Sequence, residues 1–376
     1  MIDTELPRPA RPGLVRPDGP KTLISQAPRW GVRVILIGGG VQPIPPTGYG
    51  AVERILDDFR AALIAAGHEA EVVNQVRHRR MRDEYPFAWQ LPRLLRGEHY
   101  DILHANTPVV ANRLAFGRFP FVYTSHSRHW FYRQQLSHRW GYWLERRAVR
   151  RASAVVALTS TLARTMAATV RPPLPPVSVI PFGVDSDRFR PDWTHRTGRE
   201  ILGVGVVLPF KRWELAARAL RGLGVRLRIA GPLPSPEYAA AVRTAGDRVE
   251  MLGEVSQEEL VRLYAESDVL LHPSSVEVLS ATVLEALASG LPVVGGGAVE
   301  GVVEEGTTGW SLPDADASAF VAAMRDRVSR LLSSEATRHE MGERARESAQ
   351  RRFAWPEVVA AHLRVYETVK AGAPPN

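Results

Sequence analysis

The feature that most limits how this chain can fold is a unit that recurs along it. A short apolar run ends in a glycine-rich or polar loop, and an amphipathic stretch follows. The first copy is the clearest. "VRVILIGGG" (Val32 to Gly40) is too short for a buried helix and stops in glycines, so it reads as a buried strand entering a loop. "AVERILDDFRAALIAAGHEA" carries apolar residues at Val52, Leu56, Phe59, Leu63 and Ile64, the spacing of one helix face, with Gly67 as its stop. "AEVVNQ" is the next strand. A helix between two strands makes them parallel, because a parallel pair needs a crossover connection. "DILHAN" (Asp101 to Asn106), "FVYTSH" (Phe121 to His126) and "AVVALTS" (Ala154 to Ser160) continue the series, and "VSVIPFGVD" (Val177 to Asp185) leaves it.

A second series then begins with "ILGVGVV", "VRLRIAGP", "VEMLGEV", "DVLLHPS" and "LPVVGGG". A chain of 376 residues is too long for one ordinary core. The expectation is an α/β protein of two Rossmann-like parallel-sheet domains facing across a cleft. Residues 1–30 are a proline- and arginine-rich arm, 31–184 the first domain and 185–352 the second. Residues 353–376 hold a last helix, "WPEVVAAHLRVYETVK" (Trp355 to Lys370), with proline in its first turn, expected to cross back to the first domain. A hinge is expected near Val184 to Pro191. In open parallel sheets ligands bind at the carboxyl ends of the strands, so chemistry is sought in the loops that follow strands.

Composition removes several alternatives. There is no cysteine, which excludes disulfides, thiolate metal sites and cysteine nucleophiles together. No run of eighteen apolar residues spans a membrane. The N-terminal stretch lacks the apolar segment of a secretory signal, so the cytoplasm is expected. The formal charge is +8 and nearly all of the positive charge is arginine, with lysine only at Lys21, Lys211 and Lys370. No helix-turn-helix, finger or RNA-binding motif accompanies it, so it reads as a solvated basic surface and not as a nucleic-acid site. One segment, "YRQQLSHRWGYWLERRAVRR" (Tyr132 to Arg151), is basic and aromatic. Leu136, Trp140, Trp143, Leu144 and Ala148 follow helical spacing, and Arg139, Arg146 and Arg150 share another face. The favoured reading buries the aromatic stripe in the core. The alternative lays it peripherally on the inner face of an anionic membrane.

The stretch "SSVEVLSATVLEALASGLPVV" places Glu277 and Glu285 eight residues apart in an otherwise apolar setting. Glu277 falls in the loop after a strand, Ser280 is a candidate N-cap, and Glu285 lies within the helix that Gly290 ends. Exposed amides at a helix start favour phosphate, and a carboxylate accepts from vicinal hydroxyls, so the arrangement suits a nucleotide sugar. Spacing alone does not establish it, since glutamates eight apart also fit a solvated loop and helix face. Gly48 and Gly50, in the first strand–helix loop, allow close backbone approach or simply form a turn. His126 ends a strand, where a satisfied structural histidine is common.

Taken in order along the chain, "GYGAVERIL", "SVIPFGVDSDRFRP", "LRIAGP", "MLGEVSQEELVRLYAESDVLLHPS", the two spaced glutamates before "ALASGLPVV", and "EEGTTGW" resemble the retaining glycosyltransferases of the GT-B fold, family GT4, over roughly residues 32 to 370. The resemblance implies a hexosyltransferase-type activity. A sugar would move from a nucleoside-diphosphate sugar to an acceptor hydroxyl on a glycan, a lipid-linked molecule or a small molecule. Glu285 would hold the donor ribose, Glu277 would lie beside the transferred sugar, and the amides of Ala281 and Thr282 would face the diphosphate. Lys211, in "LPFKRWE", would neutralise that diphosphate and assist its departure. His126 would contact the donor sugar, and Gly231 and Val255 would flank the base. No metal or other cofactor is implied, and "DSD" (Asp185 to Asp187) reads as turn chemistry.

Three departures from the family pattern stand out. "EVLS" (Glu277 to Ser280) replaces a glycine-containing loop. Val206 occupies the usual place of a phosphate-binding arginine, for which Arg212 is the candidate substitute. "GGAVEG" replaces a glycine pair followed by Pro-Glu. They leave open a second reading, a catalytically impaired protein of the same fold that binds nucleotide or stabilises a partner.

Overall fold

The computed structural model describes residues 31–46, 50–74, 84–314 and 316–372. The predicted arm and Gly48 lie outside them. The apolar runs form two six-stranded, all-parallel sheets. The first contains β1 (Arg33–Ile37), β2 (Glu69–Val73), β3 (Ile102–Ala105), β4 (Val122–Ser125), β5 (Ala154–Ala157) and β6 (Val177–Val179), in the order β2-β1-β3-β4-β5-β6. Its helices are α1 (Ala51–Ala65), α2 (Glu84–Leu94), α3 (Pro108–Phe116), α4 (Leu136–Arg151) and α5 (Ser160–Thr169). Val34 through Ile37 are all buried, as a central strand covered on both faces requires.

The second sheet contains β7 (Glu200–Val204), β8 (Arg226–Ala230), β9 (Val249–Gly253), β10 (Val269–His272), β11 (Val293–Gly295) and β12 (Gly309–Ser311), in the order β12-β11-β10-β7-β8-β9. Around it lie α6 (Trp213–Leu220), α7 (Pro236–Ala245), α8 (Gln257–Glu266), α9 (Ala281–Ala288), α10 (Ala317–Ser333) and α11 (Glu335–Phe353). β7 sits between β8 and β10, and the chain leaves those two strands toward opposite edges of the sheet. This topological switch point opens a crevice at the strand ends.

The chain crosses between the domains twice, side by side. The Val184 amide donates to the Phe353 carbonyl at 2.8 Å, and Val184 pairs in parallel with Ala354. Trp355 covers Gly183 so closely that a Cβ there would come within 2.3 Å of the indole. The last helix, α12 (Trp355–Gly372), then lies on the first sheet. Trp355 stacks on Phe59 at 5.9 Å, and Val358, Val359, Val365 and Tyr366 join Val34, Leu36 and Val122 in one apolar cluster. Tyr366 Oη lies 2.7 Å from His104 Nδ1, and His104 Nε2 lies 2.6 Å from Thr124 Oγ1.

The reading that buried the aromatic stripe of α4 is corrected. Leu144 and Ala148 pack inward, but Leu136, Trp140 and Trp143 are exposed. The inward face of α4 is filled by Leu144, Glu145, Ala148 and Val149, a four-residue stripe that already covers the sheet side, so the tryptophans point outward.

Candidate active site

The loops after β7 and β10, the two strands at the switch point, meet over the crevice. After β7 a short 3-10 turn, Pro209–Lys211, carries Lys211 into it. Room for this lysine comes from Gly205, where φ is +145° and a Cβ would stand 3.3 Å from both Cε and Nζ of Lys211. After β10, Glu277 arrives from the opposite side. Lys211 Nζ donates to Glu277 Oε1, and His272 Nε2 lies 3.1 Å from the same oxygen. Burial alone would push the Glu277 carboxyl up. His272 and Lys211 more than offset it and hold the group well below the usual carboxylate range, so it is ionised.

Beyond Glu277 the chain turns into α9. Ser280 takes the N-cap position, but its hydroxyl pairs with Thr282 Oγ1 at 2.8 Å and makes no cap to the backbone. The first amides of a helix have no intrahelical acceptor, and Ala281 and Thr282 at this helix start line the crevice. Deeper in the helix, Glu285 is only 8% exposed and accepts a hydrogen bond from Tyr264 Oη at 2.8 Å. Burial raises its pKa to about 7, against the opposing pull of the Tyr264 hydrogen bond and of Arg54. Neighbouring Asp58, on α1, is raised to about 6, chiefly by burial and by Asp57 beside it.

Lys211, Glu277, Glu285 and Asp58 line one cleft of about 580 Å3 between the two domains, and His272 and Tyr264 are buried behind it. The cleft brings together the predicted Lys211, Glu277, Ser280, Ala281, Thr282 and Glu285. Gly231 and Val255 border it after β8 and β9, and Gly50 borders it from the start of α1. His126, immediately after β4, lies outside this lining. Its Nε2 lies 3.3 Å from Asn106 Oδ1, and burial, with His362 nearby, lowers its pKa to about 4.

Arg212 is corrected. It adopts φ +57° and lies outside the cleft lining. There it donates to the Pro273 carbonyl at 2.9 Å and to Asp314 at 2.7 Å, and it stacks over Phe320. Among the described residues, the cations that line the cleft besides Lys211 are Arg54 and Arg188. Val278, which replaces a family glycine, belongs to the buried core, and Leu279 beside it lines the cleft instead.

Sequence reasoning missed His272, Tyr264 and Arg54. His272 and Tyr264 sit on a strand and a helix whose apolar pattern hides them. Arg54 is one arginine among many, on a helix whose other side packs the first sheet. Among the described residues no group of three or more His, Asp or Glu side chains is placed to hold a metal ion.

Comparison with known proteins agrees with this architecture. The model of Glycosyltransferase Family 4 matches residues 21–188, and that of Glycosyl transferases group 1 matches residues 185–348. The chain is 27% identical over 313 residues to an MMP alpha-(1->4)-mannosyltransferase of Mycolicibacterium hassiacum, covering 75% of this chain and 74% of the relative. It is 29% identical over 287 residues to an alpha-maltose-1-phosphate synthase of Mycobacterium tuberculosis, covering 67% and 74%. A sucrose-phosphate synthase from Thermosynechococcus elongatus superposes with a TM-score of 0.78 at 20% identity, over 91% of this chain and all (100%) of that one. The Anabaena protein HepE, solved with UDP and glucose, gives 0.68 at 19% identity, over 90% and 100%. Matched in order through both halves and sharing the two-sheet architecture, this chain belongs to the GT4-like glycosyltransferases of the GT-B fold.

Proposed function

We propose that the protein transfers a sugar, with retention at the anomeric carbon, from a nucleoside-diphosphate sugar to an acceptor hydroxyl, without a metal ion. The observation that carries this reading is the convergence of Lys211, Glu277, the open start of α9 and Glu285 in one cleft at the switch point. The diphosphate would rest against the amides of Ala281 and Thr282, with Lys211 neutralising the charge that grows on it as the sugar departs. Because the lysine supplies that charge, no divalent cation is needed. Glu277 is held by Lys211 and His272, which suits a group that positions the sugar and keeps the lysine oriented. Glu285 would exchange its Tyr264 partner for the ribose hydroxyls, with Gly231 and Val255 beside the base. Arg54 and Arg188 would supply the cationic character absent at Val206. Gly50 and His126 belong to the domain that would present the acceptor, and closure near Val184 would exclude water from the reacting sugar. The reaction is expected to run in the cytoplasm.

The relatives named above, a mannosyltransferase and a synthase of maltose 1-phosphate, support a hexose donor. A thermal-shift screen with UDP, GDP, ADP and TDP identifies the nucleotide, since a ligand that binds only the folded state raises its stability. The matching sugar nucleotides are then incubated with acceptors, and the anomeric configuration of the product is read by NMR. Nucleotide binding without turnover against a broad acceptor panel would overturn the enzymatic reading, and an inverted product would overturn retention.

A further inference from the structure

Glycosyl transfer leaves one surface of the first domain unexplained. α4 is stripped of acidic charge on its outer side. It carries Arg139, Arg146, Arg147, Arg150 and Arg151 against a single carboxylate, Glu145. Glu145 is buried underneath, accepting hydrogen bonds from Tyr123, Ser125 and Trp130. On the outer side Leu136, Trp140 and Trp143 are 81%, 61% and 49% exposed. The two indoles stack 5.0 Å apart, and Arg147 lies over the Trp143 ring at 5.9 Å. Trp140 Nε1 donates to Tyr85 Oη on α2 at 3.2 Å, which ties the stripe to the neighbouring helices. There Trp89 and Phe116 are also exposed, with Arg113 over both rings. Past the tryptophans, the last turns of α4 border a cavity of about 500 Å3 walled by Trp143, Arg146, Arg147, Arg150 and Arg151.

Among the described residues, most of the large apolar side chains left in water are thus gathered on α2, α3 and α4, interleaved with arginine. Clustered exposure of this kind marks an interaction surface, whereas single exposed residues need no explanation. The chemistry selects among partners. A second copy of the chain would set one arginine cluster against another. An anionic bilayer offers both complements at once. Indole rings settle at the headgroup level, with apolar bodies below and N–H groups in the polar layer, and arginines pair with the lipid phosphates. Among the described residues no helix is long and apolar enough to cross a membrane, so contact would be peripheral.

We infer that the outer face of α4, extended by Trp89 and Phe116, docks the protein on an anionic phospholipid surface. None of these residues lines the donor cleft, so the inference stands on this surface alone and does not need the glycosyl-transfer reading.

The test is vesicle sedimentation of the full chain. Vesicles of pure phosphatidylcholine are compared with vesicles rich in phosphatidylglycerol, across a salt series. Two double variants, W140A/W143A and R147E/R150E, are run beside the parent. The expected result is binding to the anionic vesicles and little to the neutral ones. The arginine reversals should weaken it at least about tenfold and remove most of its salt dependence. The tryptophan variant should weaken it about tenfold at every salt concentration. Unchanged melting temperature and nucleotide-induced thermal shift in both variants verify that the fold and cleft are intact. Three results overturn the inference: equal binding to neutral and anionic vesicles or none to either, full binding by both variants, or loss in the variants of self-association or RNA binding with no vesicle binding by the parent.

Discussion

Lys211 is where a single residue decides most. It is buried against Glu277 and is the cation set deepest in the cleft, aimed at the place where the leaving diphosphate would gather charge. Replacing it with alanine is expected to lower kcat about 100- to 1000-fold, the usual effect of losing one preorganised group at developing charge. His272 remains to pair with Glu277, so the variant should stay folded, and steady-state kinetics with circular dichroism checks both points. Glu285 gives a pH signature. Under the proposed function ribose hydroxyls would donate to the ionised carboxylate, whose pKa burial raises to about 7 in the free protein. Nucleotide affinity by calorimetry should therefore fall as pH drops below about 7, and Glu285→Gln should flatten that dependence while weakening binding. Stability runs the other way. A carboxyl whose folded pKa is raised from 4.5 to about 7 holds its proton better when folded, so its contribution is present below 4.5 and lost as pH rises through 7. Glu285→Gln should thus melt higher than the parent near pH 8 and alike near pH 4, and a lower melting point at pH 8 would count against the buried, uncompensated carboxyl. The paired glutamates, Lys211 and the helix start were legible in the sequence, because their chemistry lies in loops and their order matched a known family. His272, Tyr264 and Arg54 were not. His272 and Tyr264 sit behind the cleft on elements whose own pattern speaks only of packing, Arg54 reaches it from α1, and sequence adjacency to Lys211 does not reveal that Arg212 is held outside it by the Pro273 carbonyl and Asp314.

Among the elements, the strands and the first helix followed their apolar periods closely. β12 did not announce itself: its three residues contain a glycine and a tryptophan and pair only along one edge, with β11. α4 was misread for a different reason. Helical spacing identifies which residues share a face but not which face meets the sheet, and here Glu145, kept buried by three hydrogen-bond donors, sits on the inward side while two tryptophans face out. α12 ties the second crossing to the first domain through Trp355 and Tyr366, and it supports two expectations. Gly183→Ala would push a methyl into the Trp355 indole, and overpacking of this sort costs about 1–3 kcal/mol. Tyr366→Phe would strand a buried nitrogen of His104, at a similar cost of about 1–3 kcal/mol. Chemical denaturation measures both, and wild-type stability in either variant would mean that the helix is not held as described.

At the scale of the whole molecule, two sheets present the carboxyl ends of their strands to a shared cleft, and the connections between them are confined to two adjacent strands of chain. Contacts already bridge the gap, such as the Arg128 guanidinium over the Phe210 ring at 4.8 Å, next to Lys211. Two-domain architecture could be read from the sequence because βαβ repetition and length admit few alternatives. The relation of one domain to the other could not, since it depends on side chains such as Arg128 and Arg54 that meet only after both domains have folded. The central claim is that a nucleoside diphosphate binds at the opening of α9, and the structure of the complex tests it most directly. The account predicts phosphate oxygens within hydrogen-bond distance of the Ala281 and Thr282 amides and of Lys211 Nζ, with the ribose diol on Glu285. A nucleotide bound elsewhere, with Lys211 and Glu285 untouched, would contradict it.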